Sequence, residues 1–356
     1  MDIPDLVLAG PDSIAASIPF IIGFTPRDSL VVMWLHDGHV RLTMRMDLPQ
    51  AHAKADDWAN AVMAHRSFSE EVILCVIPAD ADSARDSKGE LHSQVLISAL
   101  LEKLSRTDCQ VRDALLLSVG CWWSYLCEEP ECCSPAGTPL DVGIAEGVAA
   151  QFALAGVARL PDRDAVIAVC APDPVRQATN RTRVREAVWA RAERLAQAGD
   201  RVLEWDTWRD DSIALVREAL IERPAASEGR DAEILLALCD VRVRDTVLWE
   251  IANSDGHDPH RAFEAAAALL RGAPAGVIAP IGTITALLGW LIGDGVRAMA
   301  ALERVWAEDP DYSLAELLGR SISAGLPPGS WREMMVGLTR EACRIPSARS
   351  AVPEAG

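Results

Sequence analysis

The run Ser29-Leu30-Val31-Val32-Met33-Trp34-Leu35 leads through His36-Asp37-Gly38-His39 into Val40-Arg41-Leu42-Thr43-Met44-Arg45-Met46-Asp47. Two segments of strand formers meet at an Asp-Gly pair, whose residues tolerate the left-handed backbone of a two-residue turn. A β-hairpin over 29–47 is the anchor from which the rest of the chain is read. Before it, Gly10-Pro11 opens a short helix with Asp12 or Ser13 as its cap and Ile14, Ile18, Ile21 and Ile22 at helical spacing. Pro19 disturbs its second turn and Gly23 ends it.

After the hairpin, residues 51–66 read as a helix and Val72 to Ile77 as a strand covered on both faces, because its apolar run is continuous. Residues 89–106 form a second helix with Leu91, Val95, Leu96, Leu100 and Leu104 on one side. Ala114 to Val119 is another buried strand, and Trp122 to Leu126 returns beside it. Strands alternating with helices predict an α/β unit, a mixed sheet with flanking helices. From residue 143 the two-residue period gives way to helical spacing. Helices are expected at 143–157, 161–170, 174–198 and 208–222. After a linker at Arg223–Arg230 they resume at 231–239, 242–253, 260–271, 280–292, 294–308, 312–324 and 328–340. The expected division is a mixed α/β domain over 1–160, a helical connector and linker over 161–228, and an all-α helical-hairpin bundle over 229–345.

Within that bundle, Gly293-Asp294-Gly295-Val296-Arg297-Ala298 followed by Glu308-Asp309-Pro310 resembles the second helix of a tetratricopeptide unit. Ala286 suits the close contact on the preceding helix, while Gly289 stands where such units carry an aromatic. No second copy recurs at a 34-residue interval.

The totals narrow the function. A net charge of −18 opposes the far-field attraction that draws proteins to phosphate backbones or anionic lipid, so neither nucleic acid nor membrane is the expected partner. Met1-Asp2-Ile3-Pro4 carries no basic or apolar leader, which points to the cytoplasm. The uncharged stretch Gly272–Gly293 is broken by Pro274 and Pro280. Its clean helix, at a rise of ~1.5 Å per residue, is about 20 Å long against a ~30 Å hydrocarbon core, so a buried helix is expected.

Three stretches resemble an actinobacterial family known as domain of unknown function 4192. They are Ile18-Pro19-Phe20-Ile21-Ile22-Gly23-Phe24-Thr25-Pro26-Arg27-Asp28-Ser29-Leu30-Val31-Val32, then Arg45-Met46-Asp47-Leu48-Pro49, then Trp122-Trp123-Ser124-Tyr125-Leu126-Cys127 with Cys132-Cys133 and Gly137-Thr138-Pro139. The resemblance implies kinship and no activity. Cys121 departs from the pattern, in which a non-thiol residue precedes the paired tryptophans.

Several residue groups are candidates for chemistry. Cys127, Cys132 and Cys133 offer thiols to a structural zinc, although a tetrahedral centre wants a fourth ligand and adjacent Cys132 and Cys133 cannot both coordinate easily. A reversible disulfide is the redox alternative, opposed by Glu128, Glu129 and Glu131, which raise a thiol's pKa. A structural loop is the plainest reading. On a strand, Trp122 and Ser124 point one way while Trp123 and Tyr125 point the other, so one face joins the core and the opposite face can present a rigid aromatic. Arg45 and Asp47 share a face near a strand end, where they either bind a polar ligand with Asp28 and Ser29 or bridge to the Gly23–Ser29 loop. His36 and His39 flank the hairpin turn. Between 176 and 194, Arg176, Arg181, Arg183, Arg185, Arg191 and Arg194 outweigh Glu186 and Glu193, making a basic face that grips an acidic partner or is simply solvated.

Phosphate-loop, dinucleotide, zincin and serine-elbow motifs are all missing from the sequence. That absence and the helical hairpins favour an interaction or regulatory module that binds a protein partner. The alternative is an enzyme or small-molecule sensor with a pocket near Asp28, Ser29, Arg45, Asp47 and the Trp-Cys segment, with zinc held by cysteines as one version of it.

Overall fold

The computed structural model describes residues 9–344 except 49–51, 53–59, 61, 63–70, 80–83, 86–87, 108, 119, 128, 130–132, 225–228 and 255–257. The chain divides into two compact units, Met1–Ala165 and Val166–Gly356.

The first unit opens with α1 (Pro11–Ile22). The Gly10 N–H donates to Ser13 Oγ at 3.1 Å and the Ser13 hydroxyl donates back to the Gly10 carbonyl at 2.8 Å, which satisfies backbone groups at the helix start. Pro19 is accommodated inside the helix, and Gly23 closes it with φ +88°. The hairpin is formed by β1 (Ser29–His36) and β2 (His39–Asp47), paired from Ser29 opposite Asp47 to His36 opposite His39. Asp37 and Gly38 both take positive φ, as a turn matched to strand twist requires. There follow β3 (Glu71–Ile77), α2 (Gln94–Leu104), β4 (Gln110–Ser118), β5 (Cys121–Ser124), β6 (Thr138–Pro139) and α3 (Val142–Leu154). The helix expected over 51–66 falls almost wholly outside the described residues.

These strands make one six-stranded sheet in the order β2-β1-β3-β4-β5-β6. β3 and β4 run parallel, joined by the crossover through α2, and the other neighbours are antiparallel. The sheet is therefore mixed, as the alternation of elements predicts. On one face Leu30, Val32, Trp34, Leu74, Val76 and Leu116 join Leu96, Ile97, Leu100 and Leu104 of α2 in a single core. The alternate residues Val31, Met33, Ile73, Cys75 and Leu115 are also fully buried, so both faces are covered. Continuous apolar runs in β1 and β3 demand this arrangement. Elsewhere in the unit α1 packs on α3, with the Phe20 and Phe152 rings stacked at 4.7 Å. Strand β6 was not foreseen: it is two residues long and contains a proline, below any periodic signal.

A short helix α4 (Arg163–Ala168) crosses the division between the units. The second unit is helical: α5 (Pro174–Gln197), α6 (Arg201–Arg217) with a π-helical turn at Glu218–Glu222, α7 (Asp231–Leu238), α8 (Val241–Asn253), α9 (Pro259–Gly272), α10 (Ile278–Leu291), α11 (Gly295–Glu308), α12 (Ser313–Ser323), α13 (Gly329–Val336) and α14 (Arg340–Arg344). Aspartates cap many of the starts. Asp173, Asp200, Asp240, Asp258 and Asp294 each accept from first-turn N–H groups. The Asp200 cap starts α6 at 201 rather than the expected 208, and the single helix expected over 328–340 is two. α5 and α6, assigned by sequence to a connector, pack on α7 and α8 inside this unit.

The tightest helix pair is α10 with α11. A Cβ on Gly289 would stand 3.0 Å from the Ala298 nitrogen, and one on Gly282 would meet Val305 at 2.5 Å, so glycine is what lets the helices approach. α10 is buried on nearly every side. No helix among the described residues is long and apolar enough to cross a membrane. Carbonyls at helix ends are satisfied by long side chains: Asn180 Nδ2 donates to Gly272 O at 2.9 Å, and Arg304 donates to Cys170 O at 2.7 Å and Leu270 O at 2.9 Å.

Candidate functional site

Ser29 begins β1, Asp47 ends β2 and Ile77 ends β3, and the register sets all three at one end of the sheet. This is the carboxyl end of the parallel β3–β4 pair, where open α/β sheets commonly hold ligands. Four of the sequence candidates assemble here. Arg45 Nε donates to Ser29 Oγ at 2.9 Å, its terminal nitrogen reaches Arg27 O at 3.4 Å and Asp47 at 2.5 Å, and its guanidinium lies 5.9 Å from the Phe24 ring centre. Ser29 is itself buried and donates to Arg27 O at 2.6 Å. Arg45 thus staples the Gly23–Ser29 loop to the hairpin through its Nε and Nη2. Asp28 differs. It adopts φ +48°, its carbonyl holds the Leu48 N–H at 2.8 Å, and its carboxylate acts electrostatically on His92.

His92 brings in residues that sequence reading missed. His92 and Ser93 lie at the start of α2, and Ser93 holds φ +61° at the helix N-cap without making a side-chain capping bond. Its hydroxyl instead lies 2.8 Å from His92 Nδ1 and 3.0 Å from His52 Nε2. Burial and the neighbouring His52 push His92 below its ordinary proton affinity, while Asp28 opposes them. Among the described residues, the non-glycine positions with positive φ are Asp28, Asp37 and Ser93. Asp37 is explained by the hairpin turn; of the other two, Ser93 follows His92 and Asp28 acts electrostatically on that histidine. A serine before an apolar-periodic helix reads as a plain cap, and His52 is forty residues away in sequence, so only the fold could assemble the group.

The Trp-Cys segment is mostly scaffold. Trp123 and Tyr125 point into the α2 core, while Trp122 and Ser124 take the opposite face half-buried. The Trp123 ring covers Gly137, which has φ +89° and whose added Cβ would stand 2.4 Å from the ring. Trp123 Nε1 donates to Pro135 O at 3.2 Å, which ties the cysteine loop to the sheet. The Tyr125 hydroxyl donates to the His92 carbonyl and so steadies the His92–Ser93 backbone from beneath. Trp122 Nε1 is buried with no hydrogen-bond partner. Of the zinc candidates, Cys127 and Cys133 are half-buried and Cys132 lies outside the described residues. Among the described residues no three His, Cys, Asp or Glu side chains are grouped to hold a metal ion. Cys75 is fully buried in the sheet, and burial pushes its thiol far up, away from reactivity.

The basic stretch of sequence is α5. Its first half is tied into the unit by Arg176, which pairs with Asp231 at 2.7 Å, and by buried Asn180 and Val184. Beyond that, its outer face presents Arg181, Arg185, Val188, Trp189 and Ala192, all exposed and within one stripe at three- and four-residue spacing. Trp189 is 73% exposed. Among the described residues, no ion pair is formed by Arg181 or Arg185, both of which are exposed. Between α5 and α6 runs a groove of about 600 Å³ whose apolar wall is Ala192, Leu195, Ala196, Val202 and Trp205 and whose charged lining is Arg201, Asp206 and Arg209. On the other side of Trp205, the Arg191 guanidinium lies 3.8 Å from its ring centre and 3.5 Å from that of Trp208, which fixes the groove's inner wall.

A family model described as domain of unknown function (DUF4192) matches residues 11–329. No curated protein and no solved structure matches the chain.

Proposed function

We propose, for a chain that belongs to the DUF4192 family and inherits no activity from that membership, that its helical unit binds an acidic, amphipathic segment of a partner protein. The observation that carries the reading is Trp189, largely exposed and in line with two exposed arginines that make no ion pair among the described residues. In a chain of net charge −18, uncompensated arginines on one helix are complementary to an acidic partner and not to the rest of this surface. The partner's carboxylates would meet Arg181 and Arg185, and its apolar side chains would cover Val188 and Trp189 and enter the groove toward Val202. Exposed tryptophan and arginine are the residue types in which binding energy concentrates. The α10–α11 hairpin, with its Gly293-Asp294 turn, resembles a tetratricopeptide pair and supports the same reading, since such folds serve protein recognition.

A photo-crosslinking residue placed at position 189 in the full chain identifies the partner, and binding of the captured segment is then measured by calorimetry. Trp189→Ala should weaken it by about 2 kcal/mol, roughly 30-fold. The double variant Arg181→Glu/Arg185→Glu should weaken it at least as much, with wild-type affinity falling as salt rises. A captured segment that is basic, or whose affinity ignores both variants, overturns the proposal.

A further inference from the structure

The sheet-edge group in the first unit has a different chemistry, independent of what the helical unit binds. We propose that Ser93 is a nucleophile and that the first unit transfers acyl groups from small, uncharged carboxylic esters to water. A serine hydroxyl 2.8 Å from one imidazole and 3.0 Å from another is a nucleophile beside a base, within the reach that proton transfer needs. The two rings divide the work. His92, held neutral by burial and by its neighbour, accepts the proton through Nδ1, and the Asp28 carboxylate stabilises the imidazolium that results. His52, exposed above, holds the hydroxyl from its other side. The Gln94 N–H is taken by the Leu91 carbonyl at 3.0 Å, and because Ser93 Oγ makes no capping bond the next first-turn N–H groups of α2, on Val95 and Leu96, receive none from it and would be the donors to a developing oxyanion.

The step balances without an added reagent. Ser93 Oγ attacks the ester carbonyl carbon as its proton passes to His92 Nδ1. The tetrahedral adduct collapses, the carbon–oxygen bond to the alcohol breaks, and the departing alkoxide takes the proton from His92. Water then repeats the attack on the acyl-serine, giving its proton to His92. Collapse of that adduct releases the carboxylic acid and restores the Ser93 hydroxyl. Charge selects the substrate. Asp28 acts electrostatically on His92, the chain's net charge of −18 opposes an anionic substrate at long range, and Arg85, whose neighbour Ala84 accepts from the His92 N–H, spends its guanidinium on the Gly89 and Pro135 carbonyls. A phosphorylated or carboxylated substrate would meet repulsion there, whereas a neutral ester would not.

The test uses the full chain with a fluorophosphonate probe, peptide mapping of the label, and turnover of p-nitrophenyl acetate. The label should map to Ser93. Ser93→Gly, which suits φ +61° and so keeps the fold, should abolish both labelling and turnover. His92→Gln should slow labelling by about 100-fold or more. Asp28→Asn should lower kcat with KM unchanged, as expected of a positioning residue that acts through His92. Ser98→Ala, an exposed serine on the same helix, should change nothing. Absence of label on folded wild-type protein, label on another residue, or equal labelling of the Ser93→Gly variant overturns the proposal.

Discussion

The sheet unit and the outer face of α5 use the same two residue types to opposite ends. On β2, Arg45 is enclosed by a serine hydroxyl, a carbonyl, a carboxylate and a phenyl ring, and on β5, toward the other flank, Trp123 is pressed onto Gly137. On α5, Arg181 and Arg185 meet no counter-charge among the described residues and Trp189 stands in solvent. An exposed tryptophan leaves a large apolar ring in water, whereas either residue inside a closed network is costly to remove. The contrast separates residues that hold the first unit together from residues left available to something else.

Substitution can break that contrast, and the largest effect should come from the enclosed tryptophan. Trp123→Ala is expected to destabilise by about 3–5 kcal/mol, read by urea denaturation, since it empties the contact between loop and sheet. Gly137→Ala attacks the same contact from the other side, and overpacking plus left-handed strain should cost about 3 kcal/mol. Arg45→Ala removes the donor to Ser29 and the pair with Asp47, and a loss of about 2 kcal/mol is expected. A smaller effect depends on pH. His92 has its proton affinity lowered in the fold, so the unfolded chain protonates first as pH falls below about 6.5. Stability should therefore decline on acidification through that value and level off below the folded pKa, and His92→Gln should flatten this part of the curve in thermal melts. Smallest of all, Trp189→Ala and Arg181→Ala should leave stability within about 0.5 kcal/mol of wild type. A large loss there would mean that α5 is structural and would erase the contrast.

Much of the architecture was legible because it rests on local rules. Asp37-Gly38 fixed the hairpin and continuous apolar runs announced strands buried on both faces, whereas the cap expected of Asp12 or Ser13 falls inside α1, which starts after Gly10. The alternation in Trp122-Trp123-Ser124-Tyr125 correctly divided inward from outward side chains. Where reading went astray, the signal was short or the helix exposed its apolar residues. α6 begins at Arg201 with Val202 and Leu203 in solvent, so its periodicity points away from any core and the start seemed later. Arg45 and Asp47 were seen as neighbours on one face, but whether they served a ligand or the loop needed the position of Arg27. The His52–His92–Ser93 group was invisible because His52 lies 41 residues before Ser93 and only the fold brings its ring to the start of α2.

The last strand of the sheet has a consequence for how copies of the chain meet. β6 is two residues long, and its Pro139 has no N–H to offer. A neighbouring molecule seeking to extend the ladder on that flank would find too few donors and acceptors to nucleate on. Growth by strand addition is therefore blocked on the flank of the sheet that β6 closes.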